Sequence, residues 1–230
     1  MGSFFYIYHR FKTTTMDNQK YAEKYYKVFS KAEGNQHIAS LFAIKKVLDI
    51  IELNQPKNIL EIGLGIGGFC YSIVEYLDKD KKPYNYYGTE NNEFCLSQLP
   101  IHMGVKYKKL HILSDISEVD KSKKYDLVII DGSDDSLEDI KGIIAEHGVI
   151  FIEGDRAVQV DTIRKLFPNH VFTQTISNYK DPEYGPFDSA AWSGGGKLIY
   201  VNPTPKQKNN YYFEKIKTSF RQRIVRKFVK

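Results

Sequence analysis

The chain has 230 residues, 42% of them hydrophobic, which suits one α/β domain with additions or two small domains. No stretch approaches the ~20 apolar residues that span a bilayer. The two cysteines, Cys70 and Cys95, fit neither a disulfide framework nor a zinc pattern, which predicts reduced thiols in a cytoplasmic protein. The net charge of +5 comes from residues 206–230, where nine Lys or Arg accompany one acid, so the basicity sits in a tail rather than in the domain.

The N-terminal part of the chain is predicted to be helical. Residues 1–35 are polar and rich in Tyr and Lys, and we expect them to form an extension with a helix over 19–31. A second helix is predicted over 36–53, because apolar residues recur there at helical spacing. Pro56 ends this helix, since a proline ring disfavours helical backbone in the residue before it.

Strands and helices then alternate. The predicted strands cover residues 58–62, 84–89, 108–114, 126–130 and 149–153. The predicted helices cover residues 68–77, 92–98, 136–146 and 157–167. Two more strands, over 171–177 and 197–202, follow with no helix between them. Five βα units followed by a hairpin predict an α/β fold, with a mostly parallel seven-stranded sheet, an antiparallel last strand and helices on both faces.

The first strand leads into a glycine-rich turn with the pattern Glu61-x-Gly63-x-Gly65-x-Gly67. Glycine has no Cβ, so such a turn lets the backbone approach a nucleotide-like ligand closely. A carboxylate beside the turn suits a ligand with a free amino group, whereas a dinucleotide pyrophosphate needs the bare helix N-terminus. An NAD- or FAD-binding turn and an ordinary βα turn with incidental glycines are the alternatives.

This motif and the order of elements resemble the class I S-adenosylmethionine-dependent methyltransferases over residues 36–203, which we take as the methyltransferase domain. The resemblance implies a Rossmann-like sheet of order 3-2-1-4-5-7-6 and S-adenosyl-L-methionine as the cofactor. It also implies that the turn of Gly63, Gly65 and Gly67, preceded by Glu61, passes under the methionine part of that cofactor.

Every predicted parallel strand ends at an acid, and ligands of such sheets bind beyond the carboxyl ends of the strands. Glu90 ends the second strand, and the resemblance implies that its carboxylate accepts hydrogen bonds from both ribose hydroxyls, with Asn91 lining the adenosine. Asp115 ends the third strand. The resemblance implies that it binds the adenine amino group while the backbone amide of Ile116 reads the ring; a loop cap is the alternative for Asp115.

Asp131 is predicted to lie between cofactor and substrate. The stretch over residues 125–132 resembles the fourth motif of small-molecule O-methyltransferases. The chain lacks the Asn/Asp-Pro-Pro-Tyr and Pro-Cys motifs of enzymes that methylate nucleic acids, which disfavours a nucleic-acid substrate. Transfer to a hydroxyl requires an aligned nucleophile and usually a base. We therefore predict Asp131 near the reacting methyl group and Asp134 as a candidate base.

The acids of this region also raise the question of a metal, because several carboxylates in one cleft can hold Mg²⁺. Catechol-type O-methyltransferases work in this way, and Asp131 with Glu153 or Asp155 would supply part of such a ligand set. However, the Asp-Asn pair usual in that group is replaced here by Glu153-Gly154-Asp155-Arg156. In another related group of methyltransferases, Asp-Gly is followed by an acid and a His that is a candidate base. This chain has Asp131-Gly132-Ser133-Asp134 instead and lacks that His. The metal and the base are therefore left open.

A long aromatic loop precedes the last strand. Residues 178–196 contain Tyr184, Phe187, Trp192 and three consecutive glycines. Long loops of this kind are usually binding loops or lids. We expect the loop, together with residues 1–35, to select the substrate. The alternative is a flexible surface loop with no role in binding.

The C-terminal residues 204–230 are predicted to form a basic amphipathic helix. Apolar side chains recur there at spacings of three and four: Phe213, Ile216, Phe220, Ile224 and Phe228. The helix is predicted to pack on the domain or on a partner. Peripheral membrane contact through residues 211–230 and contact with RNA are the alternatives.

The function predicted from these features is methyl transfer from S-adenosyl-L-methionine to a hydroxyl of a small molecule or glycan. Two alternatives belong to other classes. The domain could bind the cofactor without turnover, as a scaffold whose basic tail contacts a membrane or a partner. It could also be a Rossmann-type enzyme with a nicotinamide cofactor, although Glu61 and the terminal hairpin argue against that.

Overall fold

The computed structural model of the chain describes residues 17–79, 81, 83–178, 180 and 192–228. The strands in this part of the chain are β1 (Asn58–Ile62), β2 (Asn85–Thr89), β3 (Leu110–Leu113), β4 (Tyr125–Ile130), β5 (Ile144–Glu153), β6 (Val171–Ile176) and β7 (Gly195–Tyr200). They form one sheet of order β3-β2-β1-β4-β5-β7-β6. The predicted strand order is confirmed.

The strand directions place one functional edge on this sheet. β1 pairs in parallel with β2 and β4, β2 with β3, and β4 with β5. β7 is antiparallel to both of its neighbours, β5 and β6, so β6 points the same way as the parallel strands. The carboxyl ends of β1 to β6 therefore meet at one edge of the sheet, and the predicted antiparallel last strand is also confirmed.

Helices cover both faces of the sheet. They are α1 (residues 17–29), α2 (Leu41–Asn54), α3 (Gly68–Lys79), α4 (Glu93–Met103), α5 (Ile140–Ile143), α6 (Ala157–Leu166), α7 (Pro205–Phe220) and α8 (Arg226–Phe228). A π-helical turn, Arg221–Val225, joins α7 to α8. One apolar cluster joins α1 to α4 with one face of the sheet, and a second joins α5 and α6 with the other face. None of the helices in the described ranges is long and apolar enough to cross a membrane.

Several predicted elements differ from the structure. The helix predicted over 36–53 begins only at Leu41, and the strand predicted over 108–114 is shortened to Leu110–Leu113. Two further helices differ more. The helix predicted over 136–146 is reduced to a 3₁₀ turn, Leu137–Asp139, and the single turn of α5, while β5 begins at Ile144. Ile144 pairs with Tyr125 of β4, so the β-branched residues at this point extend the sheet instead of the helix. The helix predicted over 92–98 is longer than expected, because α4 runs past Pro100 to Met103.

The ends of β1 and β4 approach each other closely at Gly63 and Gly132. Gly63 has φ = 87°, and a Cβ placed on it would lie 2.6 Å from the backbone of Gly132. The backbone N–H groups of Asp131 and Gly132 both donate to the carbonyl of Ile62, at 2.9 and 2.7 Å. A side chain at either glycine would push the two strand ends apart.

We predict that Gly63→Ala destabilises the fold by about 2 kcal/mol or more, because it adds a backbone clash to a positive φ. The control is Gly142→Ala: Gly142 lies in α5, and a Cβ there would meet no atom within 4 Å. Urea unfolding followed by circular dichroism measures both. Equal stability of the two variants would contradict the close approach of β1 and β4.

Candidate functional site

A cleft of about 990 Å³ opens at the edge where the parallel strands end. Its lining includes seven acids from the strand ends and the loops that follow them: Glu90, Asp115, Asp131, Asp134, Asp135, Glu153 and Asp155. Among the described residues that line the cleft, Arg156 is the single Lys or Arg. The cleft is therefore strongly acidic although the whole chain is basic.

The glycine turn forms one wall of the cleft. Gly63 and Gly65 line it, and both have positive φ, of 87° and 54°. A Cβ on Gly65 would lie 2.2 Å from the carbonyl oxygen of His37, so this glycine lets the segment before α2 close over the turn. Gly67 is buried behind the turn, near Leu99 and Met103 of α4, and does not line the cleft. The packing of the protein thus requires glycine at positions 63 and 65 whether or not a ligand is bound.

Glu90 connects the glycine turn to the start of α4. Its Oε2 accepts the Gly65 N–H at 2.7 Å, and its Oε1 accepts the N–H groups of Asn91 and Asn92 at 3.0 and 2.8 Å. Asn91 also lines the cleft. A carboxylate has about four acceptor positions, and three are already in use. Bonding two ribose hydroxyls would therefore require Glu90 to release one backbone N–H.

Asp115 and Asp134 both bind the backbone of the short 3₁₀ turn that follows β3. Asp115 caps this turn by accepting the Ser117 N–H at 2.7 Å, and this bond and that from the Ser117 hydroxyl lower the pKa of its carboxyl. Asp134 accepts the Ile116 N–H at 3.0 Å through Oδ2 and the Ser136 N–H at 2.8 Å through Oδ1. Ile116 itself is fully buried. The Ile116 amide, which was predicted to hydrogen-bond the adenine ring, is thus already bonded to Asp134.

Glu61 lies behind the cleft wall. Its side chain is buried, and its Oε2 accepts a hydrogen bond from the Tyr86 hydroxyl. Its Oε1 is buried without a hydrogen-bond partner among the described residues. Burial raises the pKa of Glu61 well above its usual range, and the nearby charges of Glu90 and Glu153 add to this effect. The hydrogen bond from Tyr86 opposes this shift in the pKa. Glu61 thus borders the glycine turn from behind instead of facing the cleft as an open carboxylate.

Asp131 and Glu153 form a carboxyl pair on the cleft floor, at the ends of β4 and β5. Glu153 Oε1 accepts from both the backbone N–H and the hydroxyl of Ser40, at 2.8 and 2.6 Å. Ser40 is the N-cap of α2, so the helix dipole favours negative charge on Glu153. Arg156 binds the Asp131 carbonyl, and its guanidinium lies 3.5 Å from Asp131 Oδ1. Two acids, a helix N-terminus and an arginine therefore meet at one point.

Burial raises the pKa of Asp131 well above its usual range, and the charge of Glu153 raises it further, whereas Arg156 opposes the shift. Burial also raises the pKa of Glu153, against the hydrogen bonds from Asp131 and Ser40 that lower it. The two carboxyls are therefore best described as sharing one proton, with Asp131 as the donor and Glu153 as the acceptor. Such a group exchanges protons closer to neutral pH than an ordinary aspartate does.

Several cleft residues were not singled out by the sequence as parts of the site. The segment over 35–38, between α1 and α2, forms part of the lining, and Ser40 and Arg156 hold the carboxyl pair. The sequence carries one usable signal for Ser40, which is an N-cap residue directly before an apolar helical run. Contacts such as Ser40 to Glu153, which are 113 residues apart, require the tertiary fold.

Some sequence predictions fall outside the described residues. These are the predictions for Tyr184 and Phe187 in the aromatic loop and for residues 1–16. Trp192 is described, and its ring lies 4.8 Å from the guanidinium carbon of Arg226. In the described ranges no three His, Cys, Asp or Glu side chains are grouped so that they could hold a metal ion, so we assign no ligand set for Mg²⁺.

We predict that Asp131→Asn changes the pH dependence of stability. Folded Asp131 keeps its proton to higher pH than the unfolded chain does, so the wild type loses stability as pH rises above the ordinary range of an aspartate. The amide cannot ionise and can still donate to Glu153. The variant should therefore be more stable than the wild type at about pH 8, by about 1.4 kcal/mol for each unit by which the pKa is raised, and the difference should shrink toward about pH 4.

Urea unfolding across this pH range measures the effect. Asp155→Asn is the control, because Asp155 belongs to the same strand-end loop and its side chain is 96% exposed. A loss of stability in Asp131→Asn that is the same at every pH would contradict a shared proton.

Known proteins resemble this chain mainly in fold. No family model matches it. A segment of 64 residues is 41% identical to phosphoethanolamine N-methyltransferase of Plasmodium falciparum (isolate 3D7); the match covers 27% of this chain and only about a quarter, 24%, of that enzyme. The O-methyltransferase from Bacillus cereus in complex with SAH superposes with a TM-score of 0.57 at 15% identity, over 79% of this chain and 90% of that one.

A third protein of similar fold has a different methyltransferase activity in its name. The precorrin-6y C5,15-methyltransferase from Geobacter metallireducens GS-15 superposes with a TM-score of 0.52 at 13% identity, over 72% of this chain and 90% of that chain. At such identities the likeness concerns the fold alone, and the named acceptors differ among these proteins. The chain has the fold of the class I S-adenosylmethionine-dependent methyltransferases.

Proposed function

We propose that the chain binds S-adenosyl-L-methionine in the acidic cleft and transfers its methyl group to a hydroxyl of a small molecule or glycan. The observation that carries this proposal is the charge of the cleft: seven acids and one arginine line it beside the glycine turn. When bound, this cofactor supplies an electrophilic methyl group on a cationic sulfonium, together with an ammonium group. The acid excess suits both cations and disfavours the pyrophosphate of a dinucleotide.

The cofactor-binding residues follow from their places around the cleft. We assign Gly63, Gly65, Glu90, Asn91 and Asp115 to direct contact, because all five line the cleft. We assign Glu61, Gly67 and Ile116 to the support of that wall, because all three are buried. A ligand that competes for the Ile116 amide would have to displace the carboxylate of Asp134.

For proton transfer we assign the first role to Asp131 and a second role to Asp134. Asp131 lines the cleft, Arg156 fixes its position, and its raised pKa makes its carboxylate a better proton acceptor near neutral pH than an ordinary aspartate. In this proposal the proton of the acceptor hydroxyl passes to Asp131 as the hydroxyl oxygen attacks, while the proton that Asp131 holds moves to Glu153, so each carboxyl of the pair ends with one proton and S-adenosylhomocysteine leaves. Asp134 also faces the cleft, but both of its oxygens already anchor loop N–H groups.

A second candidate acceptor is an amine. The acidic cleft would attract a cationic amine before it loses its proton, and the relative with the 41% identical segment is named as a phosphoethanolamine N-methyltransferase. This alternative changes the acceptor atom but leaves the cofactor site and the proton acceptor as they are.

The acceptor is tested with ¹³C-methyl-labelled S-adenosylmethionine and a panel of catechol, methyl glucoside, ethanolamine and phosphoethanolamine. Carbon NMR distinguishes a methyl group on oxygen from one on nitrogen. We expect label on oxygen, and a loss of turnover of about 10²-fold or more in Asp131→Asn. Label on nitrogen would favour the amine acceptor, and binding of the cofactor without turnover of any acceptor would favour the scaffold.

We predict that Glu90→Gln weakens the binding of S-adenosylhomocysteine by about 10- to 100-fold, as expected for the loss of charge-assisted hydrogen bonds. The control is Glu93→Gln, since Glu93 has the same chemistry three residues along and lies outside the cleft lining. Calorimetric titration measures both, and circular dichroism checks that both variants fold. Equal affinity in the wild type and Glu90→Gln would contradict the assignment of Glu90.

A further inference from the structure

The C-terminal helix, which consists of α7, the π-helical turn Arg221–Val225 and α8, docks on the domain through its polar face. Glu214 is buried and lies 2.7 Å from the ammonium of Lys46 in α2. Asn210 donates to the Tyr200 hydroxyl at 2.7 Å, and Thr218 donates to the Gln174 carbonyl at 2.8 Å. The capping box of Thr204 and Gln207 fixes where the helix starts. The side of the helix that faces the protein is therefore the charged and amide-bearing one.

Five large apolar side chains of the helix point away from the domain. We call them the outer stripe, and their exposed fractions are 61% for Phe213, 70% for Ile216, 54% for Phe220, 45% for Ile224 and 81% for Phe228. Tyr212, next to the stripe, is 60% exposed. These are the residues whose spacing predicts an amphipathic helix, but the packing is the reverse of the usual one for a surface helix. Large contiguous apolar patches of this kind mark interaction surfaces.

The charge around the outer stripe is of one sign. The exposed cations of the helix are Lys206, Lys208, Lys215, Arg223 and Lys227. The single acid in residues 206–230 is Glu214, and it is turned inward to Lys46. A second copy of this chain would bring like charges together. A nucleic acid could pair with the cations and stack on the phenylalanines, but it would leave Ile216 and Ile224 in water. An anionic surface that also takes up apolar side chains fits both features.

The helix ends at the same edge of the sheet as the cleft. Arg221 donates to the Ile176 carbonyl at 2.8 Å and Arg226 donates to the Ser177 carbonyl at 2.9 Å, so the helix follows β6 to its carboxyl end. β6 points the same way as β5, whose end carries Glu153. The C-terminal end of the outer stripe therefore lies on the side of the sheet at which the cleft opens.

We propose that the outer stripe and its cations bind the surface of an anionic lipid membrane, with the helix lying in the plane of that surface. The phenylalanines and isoleucines enter the boundary between head groups and acyl chains, and the lysines and arginines contact the lipid phosphates. The polar bonds to Lys46, Tyr200 and Gln174 hold the helix on the domain, so the folded domain is brought to the membrane as a whole.

The full chain is tested by co-sedimentation with vesicles of phosphatidylcholine alone and with about one-third phosphatidylserine. We expect binding to the anionic vesicles at least about tenfold stronger than to the neutral ones, and weaker in high salt. The double variant Ile216→Ser with Phe220→Ser should lose about tenfold or more in affinity. So should Lys215→Glu with Arg223→Glu.

The matched control is Val105→Ser with Val158→Ser, because these apolar residues are 87% and 78% exposed and lie elsewhere on the domain. This control should bind like the wild type. No binding of the wild type to anionic vesicles would overturn the proposal, as would an equal loss in the control. A self-association that light scattering detects and that only the stripe variant abolishes, without vesicle binding, would assign the stripe to a second copy instead.

Discussion

The parallel sheet imposes one constraint on which the other features depend: its strands end at a common edge. The four strands β2 to β5 each carry at least one carboxylate at or just after their ends, so seven acids share one cleft. Like charges at such distances repel, and the protein relieves this in three ways. Asp131 and Glu153 share a proton, Arg156 stands between their strand ends, and the N-terminus of α2 faces Glu153 through Ser40. An unliganded cleft with this excess of acid attracts cations.

The glycine turn is the second consequence of the same geometry. The ends of β1 and β4 lie so close that Gly63 and Gly132 face each other backbone to backbone. Gly65 in turn admits the carbonyl of His37, which brings the segment before α2 onto the cleft. Gly63 and Gly65 are therefore required by the packing of the cleft wall itself. Because they carry no side chains, they also leave this wall open to a ligand.

The sequence predicted most of the strands and helices, and the acids at the strand ends, because period and spacing are local properties that it records directly. The strand order came from the resemblance to the class I methyltransferases. It did not predict the short α5 and the early start of β5, since whether Ile144 continues a helix or joins a sheet is decided by its pairing with Tyr125. It did not predict that Asp134 would bind the Ile116 amide, or that Ser40 would bind Glu153, because both contacts join segments far apart in the chain. The tail shows the same limit: its amphipathic spacing was visible, but the face it buries depends on partners such as Lys46.

The central claim of this account is that the acidic cleft at the strand ends binds the cofactor. Hydrogen–deuterium exchange of the full chain, with and without S-adenosylhomocysteine, tests it most directly. The account predicts slower amide exchange on binding in residues 63–67, 89–92 and 114–116, with no change in residues 205–228. Saturating ligand that leaves exchange in those three cleft segments unaltered, or that protects a different part of the molecule, would contradict it.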